Sequence, residues 1–227
     1  PEAPPFALYT ELIQDAVMTL MEQGHCKFAS TCAMTFSDDA MLHFMENIDF
    51  FRDKILLRPG EISNSPEVVR RIGVIAMNTA LEADIYGNVN STHVLGTKMM
   101  NGIGGSGDFT RNAYLSIFSC PSVQKGGKIS AIVPMCSHID HSEHSVKVLI
   151  TEQGVADLRG KDPRQRAEAI IENCAHPAYK QLLWDYLKLA NKGALAHTPH
   201  NLHAAFALHE SFIDCGDMSH ADFGKYY

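Results

Sequence analysis

The sequence predicts an α/β fold, a mostly parallel sheet flanked by helices, and three observations carry that expectation. Short, largely apolar runs at Gly73–Ala80, Ile129–Val133 and Val146–Ile150 have the length and composition of strands buried on both faces. Amphipathic stretches with capping residues alternate with them. At 227 residues, 45% hydrophobic and 20% charged, the chain also has enough apolar material for a sizeable core.

Taken in order, the first helix is expected from Thr10 to Met21, where Leu12, Ile13, Ala16, Val17 and Leu20 recur at helical spacing. Thr10 would be its N-cap and Gly24 its stop, which puts Glu11 at the first helical position. A second helix follows Ser37 to about Met45. A third opens with Ser65 and Pro66 and runs to Gly73, because proline's fixed φ and missing N–H suit a first turn. Asp162 caps a helix from Pro163 to Ala175, and Pro177–Ala190 forms another, stopped by Gly193. Residues 194–227 read as a turn and a final short helix. No internal repeat is visible.

Composition excludes several classes. The net charge of −7, with 19 Lys and Arg scattered along the chain, leaves no basic stripe for nucleic acid or a membrane surface. No apolar run approaches the roughly 20 residues needed to cross a bilayer. The six cysteines lie far apart without a C-x-x-C pair, which reads as a reduced intracellular protein. The proline-rich lead PEAPPF, without an initiator Met, reads as a piece of something longer.

The densest signal is NGIGGSGDF. Gly102, Gly104, Gly105 and Gly107 fall within six residues, interleaved with Ile103 and followed by Phe109, which is unlike a flexible linker. An ordered glycine loop brings backbone N–H groups against an anion or a developing oxyanion. GIGGSG also satisfies G-x-G-x-x-G. The dinucleotide fingerprint, however, needs an apolar helix after it and an acid about 20 residues on, and DFTRNAYLSIF reads as a turn into a strand.

Several further motifs occur in a fixed order: TELIQD, LRPGEISNSPEVVRR, ALEADIYGNVNSTHVLG, NGIGGSGDFTRNAYLS, VQKGGKISAIVP, HIDHSEHSV and LITEQGVADLRG. Together they resemble the C-terminal half of the acetyl-CoA hydrolase/transferase family, the class I CoA-transferases of the succinyl-CoA:acetate type, over nearly the whole chain. The resemblance implies a CoA-transferase-type domain spanning 1–227 with 194–227 as its tail helix region. It also implies transfer of CoA between short carboxylic acids such as acetate and succinate through a glutamyl-CoA thioester. Coenzyme A enters as a substrate, with no permanently bound cofactor and no metal.

Carried over by motif, the nucleophile is Glu11. At a helix start its anion would gain about 0.3–1 kcal/mol from the helix dipole; on composition alone it is an ordinary first-turn acid. Asn64 matches the amide that orients the glutamate or acyl oxygen, although in S-N-S-P it also reads as a turn residue. Gly105 matches the glycine whose N–H lines the oxyanion hole and contacts CoA. Asn101, Gly104 and Lys125 match or flank CoA contacts, and a lysine among glycines can offer a point charge to phosphate.

Glu152, an acid before glycine after a buried strand, is a competing nucleophile. It is assigned instead to local support or to lining the cleft, with Arg159 nearby as a candidate ion-pair partner. His138, His141 and His144 make H-x-x-H-x-x-H, which resembles a metal cluster, but the spacing is poor for zinc on a helix face or a strand, so structural polar packing or an interface is expected. His197, His200, His203 and His209 read as imidazoles scattered on a partly exposed tail. The family is about twice this length, so turnover is expected to need the N-terminal half, and a homodimer is expected from the family. Hydrolysis at the same site and a non-catalytic CoA-binding domain remain the alternatives. The compartment is expected to be cytoplasmic, or mitochondrial in a eukaryote.

Overall fold

A computed structural model describes residues 4–193 and 196–227. The chain divides into two compact units, one ending at Val74 and one running Ile75–Tyr227.

In the first unit the order is β1 (Phe6–Tyr9), β2 (Leu12–Ile13), α1 (Asp15–Glu22), β3 (Cys26–Thr31), β4 (Ala33–Met34), α2 (Asp38–Glu46), α3 (Ile48–Phe51), β5 (Ile55–Leu57), α4 (Gly60–Ser63) and α5 (Pro66–Ile72). A parallel sheet runs β1-β3-β5, and β2 pairs with β4, also in parallel. Ile13, Met18, Met21, Cys26, Ala29, Phe44 and Phe51 form its core, with the Phe44 and Phe51 rings 5.4 Å apart. Ser37 caps α2 by accepting from the Ala40 amide, as its position predicts, and α5 runs from Pro66 to Ile72 with Gly73 as its C-cap.

The first helix differs from expectation. It begins at Asp15, with Gln14 as its N-cap, and Leu12–Ile13 is a strand. The reason is tertiary. The Leu12–Ala33 and Ile13–Met34 pairing occupies the backbone groups that an earlier helical turn would need, and Ile13 is fully buried. Asp15 is the real first-turn acid, and its carboxylate accepts from the Ser37 amide and hydroxyl at 3.1 and 2.7 Å.

The second unit contains β6 (Ile75–Thr79), β7 (Glu82–Asp84), β8 (Val89–Asn90), β9 (His93–Val94), β10 (Lys98–Met99), α6 (Ser106–Asn112), β11 (Leu115–Ser119), β12 (Val123–Gln124), β13 (Ile129–Ser130), β14 (Ile132–Val133), β15 (Val148–Thr151), β16 (Gly154–Asp157), α7 (Pro163–Cys174), α8 (Pro177–Ala190) and α9 (Ala207–Cys215). Its main sheet has the order β16-β15-β11-β6, with β6, β11 and β15 parallel and β16 antiparallel at the edge. Asp162 caps α7 in a reciprocal capping box with Gln165. Ile170, Ile171, Cys174, Tyr179, Leu183 and Tyr186 bring α7 and α8 onto the core.

Three expectations are corrected here. DFTRN is helical, because α6 follows the glycine loop directly and buries Phe109 and Thr110. The run Ile129–Val133 is two strands, β13 pairing with β12 and β14 with β7, because the chain changes partners at Ala131. The strand β6 is not buried on both faces: Ala76 is buried, but Ile75 and Met77 are 55% and 76% exposed. The register aligns Ile75 with Leu115, Met77 with Ile117, and Ile150 with Val155, so one face of this sheet is apolar and largely uncovered.

In the tail, α9 is the expected short helix, and residues 194–195 of that region lie outside the described residues.

Candidate functional site

Glu11 sits where the parallel strands of the first unit end. Its carbonyl oxygen accepts from the Cys32 and Ala33 amides, each at 3.1 Å, and from the Thr31 hydroxyl at 2.8 Å. Its backbone is therefore fixed by β3 and the turn after it, not by α1, and the helix-dipole argument for Glu11 does not apply. Ligands of open parallel sheets bind at the carboxyl ends of the strands.

Asn64 ends α4, and the Tyr9 hydroxyl donates to the Ile62 carbonyl in the same helix. This ties α4 to the end of β1. The Asn64 Oδ1 atom is buried without a hydrogen-bond partner among the described residues, as are the Ser30 and Ser63 hydroxyls. Orphaned buried polar atoms are uncommon in folded proteins and mark positions where a ligand or water completes the bonding.

The other predicted residues belong to the second unit. Asn101, Gly104 and Gly105 share one loop. Gly104 has φ +56°, a conformation that side chains disfavour. Gly105 is buried in an otherwise exposed stretch and has φ −83°, so its own backbone does not require glycine. A Cβ at Gly102 or Gly107 would meet nothing within 4 Å, so packing does not explain glycine there either. The Asn101 amide holds the loop itself by donating to the Ser91 carbonyl at 2.7 Å. Lys125 lies on the separate turn between β12 and β13, exposed, with its ammonium 5.0 Å from the Phe212 ring centroid.

Beneath the loop is a polar platform, Asn90–His93 with Asp140 and His141, that sequence reasoning did not single out as a unit. The Asp140 carboxylate accepts from the Ser91 amide at 2.7 Å and from the Thr92 hydroxyl at 2.9 Å. Burial would raise its pKa, but these bonds and the nearby His138 outweigh it and hold the carboxyl below its usual range. The triplet of histidines separates: His141 is buried, His138 is partly exposed with its ring 3.9 Å from that of His93, and His144 is exposed.

Glu82 supports the platform from below. Its carboxylate accepts from Asn90 Nδ2 at 3.0 Å and from the Ser137 amide and hydroxyl at 2.7 and 2.6 Å, and it pairs with His209 Nε2 at 2.9 Å. Burial pushes the Glu82 carboxyl up, but His209, Ser137 and Asn90 more than offset this and leave it lowered. His209 is thus a buried partner of the core, unlike the exposed tail residue expected, and His200 likewise bonds the Tyr186 hydroxyl at 2.7 Å. The local signal for the platform was present in N-V-N-S-T-H, a polar run too rich in Asn, Ser and Thr for a simple strand.

Glu152 does not pair with Arg159, which forks onto Asp157 at 2.7 Å. Instead it accepts from the Ser122 hydroxyl and amide, and the Ser122 and Gln153 bonds hold its carboxyl at about 2.

The sequence profile described as Acetyl-CoA hydrolase/transferase C-terminal domain matches residues 41–187. The chain is 59% identical to a succinyl-CoA:acetate CoA-transferase of Clostridium kluyveri over 92% of its own length and 39% of that protein's. It is 57% identical to a propanoyl-CoA:succinate CoA transferase of Escherichia coli (96% and 44%) and 47% identical to an acetyl-CoA hydrolase of Schizosaccharomyces pombe (93% and 42%). The chain therefore spans less than half the length of these relatives. Among solved structures, a 4-hydroxybutyrate CoA-transferase from Porphyromonas gingivalis superposes with a TM-score of 0.64 at 26% identity, covering 82% of this chain and 46% of that one. RipA from Yersinia pestis shares the fold with a TM-score of 0.72 at 24% identity over 82% and 44%. By sequence and by fold, this chain belongs to the acetyl-CoA hydrolase/transferase family and corresponds to its C-terminal domain.

Proposed function

We propose that this chain is the nucleophile-bearing half of an enzyme that moves CoA between short carboxylic acids. Glu11 attacks the acyl-CoA carbonyl, the C–S bond breaks, and an acyl-glutamyl anhydride forms with CoA thiolate as the leaving group. The thiolate then attacks the glutamyl carbonyl, which releases the first acid as its carboxylate and leaves a glutamyl-CoA thioester. An acceptor carboxylate reverses both steps and departs as the new acyl-CoA.

In this reading Gly105, by its match to the family motif, takes the oxyanion-donor role. Asn64 orients the Glu11 carboxylate or the acyl oxygen, and Asn101, Gly104 and Lys125 face CoA. The observation that carries the proposal is the Glu11 backbone clamp at the strand ends, and the unpartnered buried Asn64 Oδ1 of the same unit supports it. The longer relatives and the uncovered apolar sheet face support a second, N-terminal half that completes the cleft.

The test uses the complete gene product. Mixing it with acyl-CoA and trapping with borohydride or hydroxylamine is expected to modify the Glu11 peptide in mass spectrometry, and Glu11→Ala to abolish both the adduct and turnover. An unmodified peptide in active protein would refute Glu11 as the nucleophile. The hydrolase relatives support a second reading in which water takes the acyl group. CoA release that does not depend on added acetate or succinate would select it.

A further inference from the structure

Ser106 follows Gly105 directly, and its hydroxyl is engaged twice, 2.8 Å from the Ile103 carbonyl oxygen and 3.0 Å from His141 Nε2. A serine hydroxyl carries one proton, and a carbonyl can only accept. That proton goes either to Ile103, with Nε2 donating to the hydroxyl oxygen, or to Nε2 itself, and in both cases the contact ties Ser106 to His141. Burial holds the His141 ring below the usual imidazole pKa.

His141 is itself tightly held. Its amide donates to the Val89 carbonyl at 3.1 Å and its carbonyl accepts from the Val89 amide at 2.8 Å. Its ring lies 4.9 Å from that of Phe118, and the residue is 4% exposed. The other end of the loop is tied to the same platform: the Met100 amide donates to the Thr92 carbonyl and Asn101 Nδ2 to the Ser91 carbonyl, both at 2.7 Å. Residues 91 and 92 are bound in turn by Asp140, the neighbour of His141.

We infer that His141 is a positioning residue for the glycine loop, acting through Ser106 to fix the Ile103–Gly105 turn and with it the direction of the Gly105 amide. A loop with four glycines in six residues has little backbone preference of its own. An oxyanion donor is useful only if it is held in place before charge develops. The inference rests on the transfer reading in assigning that donor role to Gly105.

Three substitutions in the complete gene product test it. His141→Phe keeps a ring against Phe118 and removes the polar contact, His141→Gln restores a polar side-chain end at similar reach, and Ser106→Ala removes the hydroxyl at a half-buried position. Ser106→Ala and His141→Phe are each expected to lower kcat by about 10–100-fold, with KM for acyl-CoA within about twofold of the parent. His141→Gln should recover most of the loss, and the Ser106→Ala/His141→Phe double variant should fall no further than the worse single. Parental kcat in folded Ser106→Ala protein, losses that add, or a raised KM at unchanged kcat would each overturn the inference; if His141→Phe does not fold, Ser106→Ala decides. Amide exchange at Ile103–Ser106 gives a readout independent of turnover, expected to quicken by about tenfold in Ser106→Ala. Unchanged exchange refutes the clamp even if the parent forms no Glu11 adduct, an outcome that would count against the transfer reading instead.

Discussion

At the residue scale the most consequential pair outside the glycine loop is Glu82 with His209. Both side chains are about nine-tenths buried, and truncating one partner strands the other's polar atoms away from water. His209→Ala is expected to cost about 3–5 kcal/mol, a fall in melting temperature on the order of 10 °C, measurable by calorimetry. The sign of the pH dependence follows from the lowered Glu82 carboxyl: its contribution is fully present above the ordinary glutamate pKa and fades as pH falls through the folded value. The melting-temperature gap between the parent and Glu82→Gln should therefore narrow as the buffer is taken from pH 7 toward strongly acidic conditions. Gly87 gives a steric test. It has φ +94°, and a Cβ there would stand 2.6 Å from Arg166 Nη2, which is held by the Glu143 and Val146 carbonyls at 2.8 and 3.1 Å. Gly87→Ala should destabilise the protein by about 1–3 kcal/mol in denaturant unfolding.

At the element scale, helices announced by local chemistry were readable. Ser37, Pro66, the Asp162–Gln165 box and Pro177 mark real starts because capping depends on residues within one turn. Removing the box with Asp162→Ala is expected to cost about 1 kcal/mol, read as a shifted denaturation midpoint with an unchanged m-value. The helical spacing around Glu11 misled because Leu12 and Ile13 also satisfy a strand, and what decides between the two is pairing with Ala33 and Met34, twenty-one residues away in sequence. The same non-local cause hid the Glu82–His209 pair, whose members lie 127 positions apart. The glycine loop was legible as a loop, but its anchor was not, since nothing local couples Ser106 to a histidine 35 residues on.

For the whole molecule, the α/β class could be read from apolar runs alternating with capped helices and the family from motif order, whereas the division at Val74 could not, because a unit boundary is a fact about contacts. Apolar runs likewise reported strand character in β6 without reporting what covers each side. The face carrying Ile75, Met77 and Val155 is large and apolar for a surface exposed to water. The 227-residue chain expressed alone is therefore expected to bind a hydrophobic dye and to self-associate with rising concentration in light scattering. Met77→Glu should reduce both signals, and equal signals in the two proteins would show that this face is not responsible.

The bonds from Thr31, Cys32 and Ala33 to the Glu11 carbonyl have an evolutionary consequence. Because the Glu11 backbone hangs from the sheet, drift in the helix that follows it, including changes of length or cap, would leave that backbone where it is. Natural variation could remodel the α1–α2 surface without moving the Glu11 backbone.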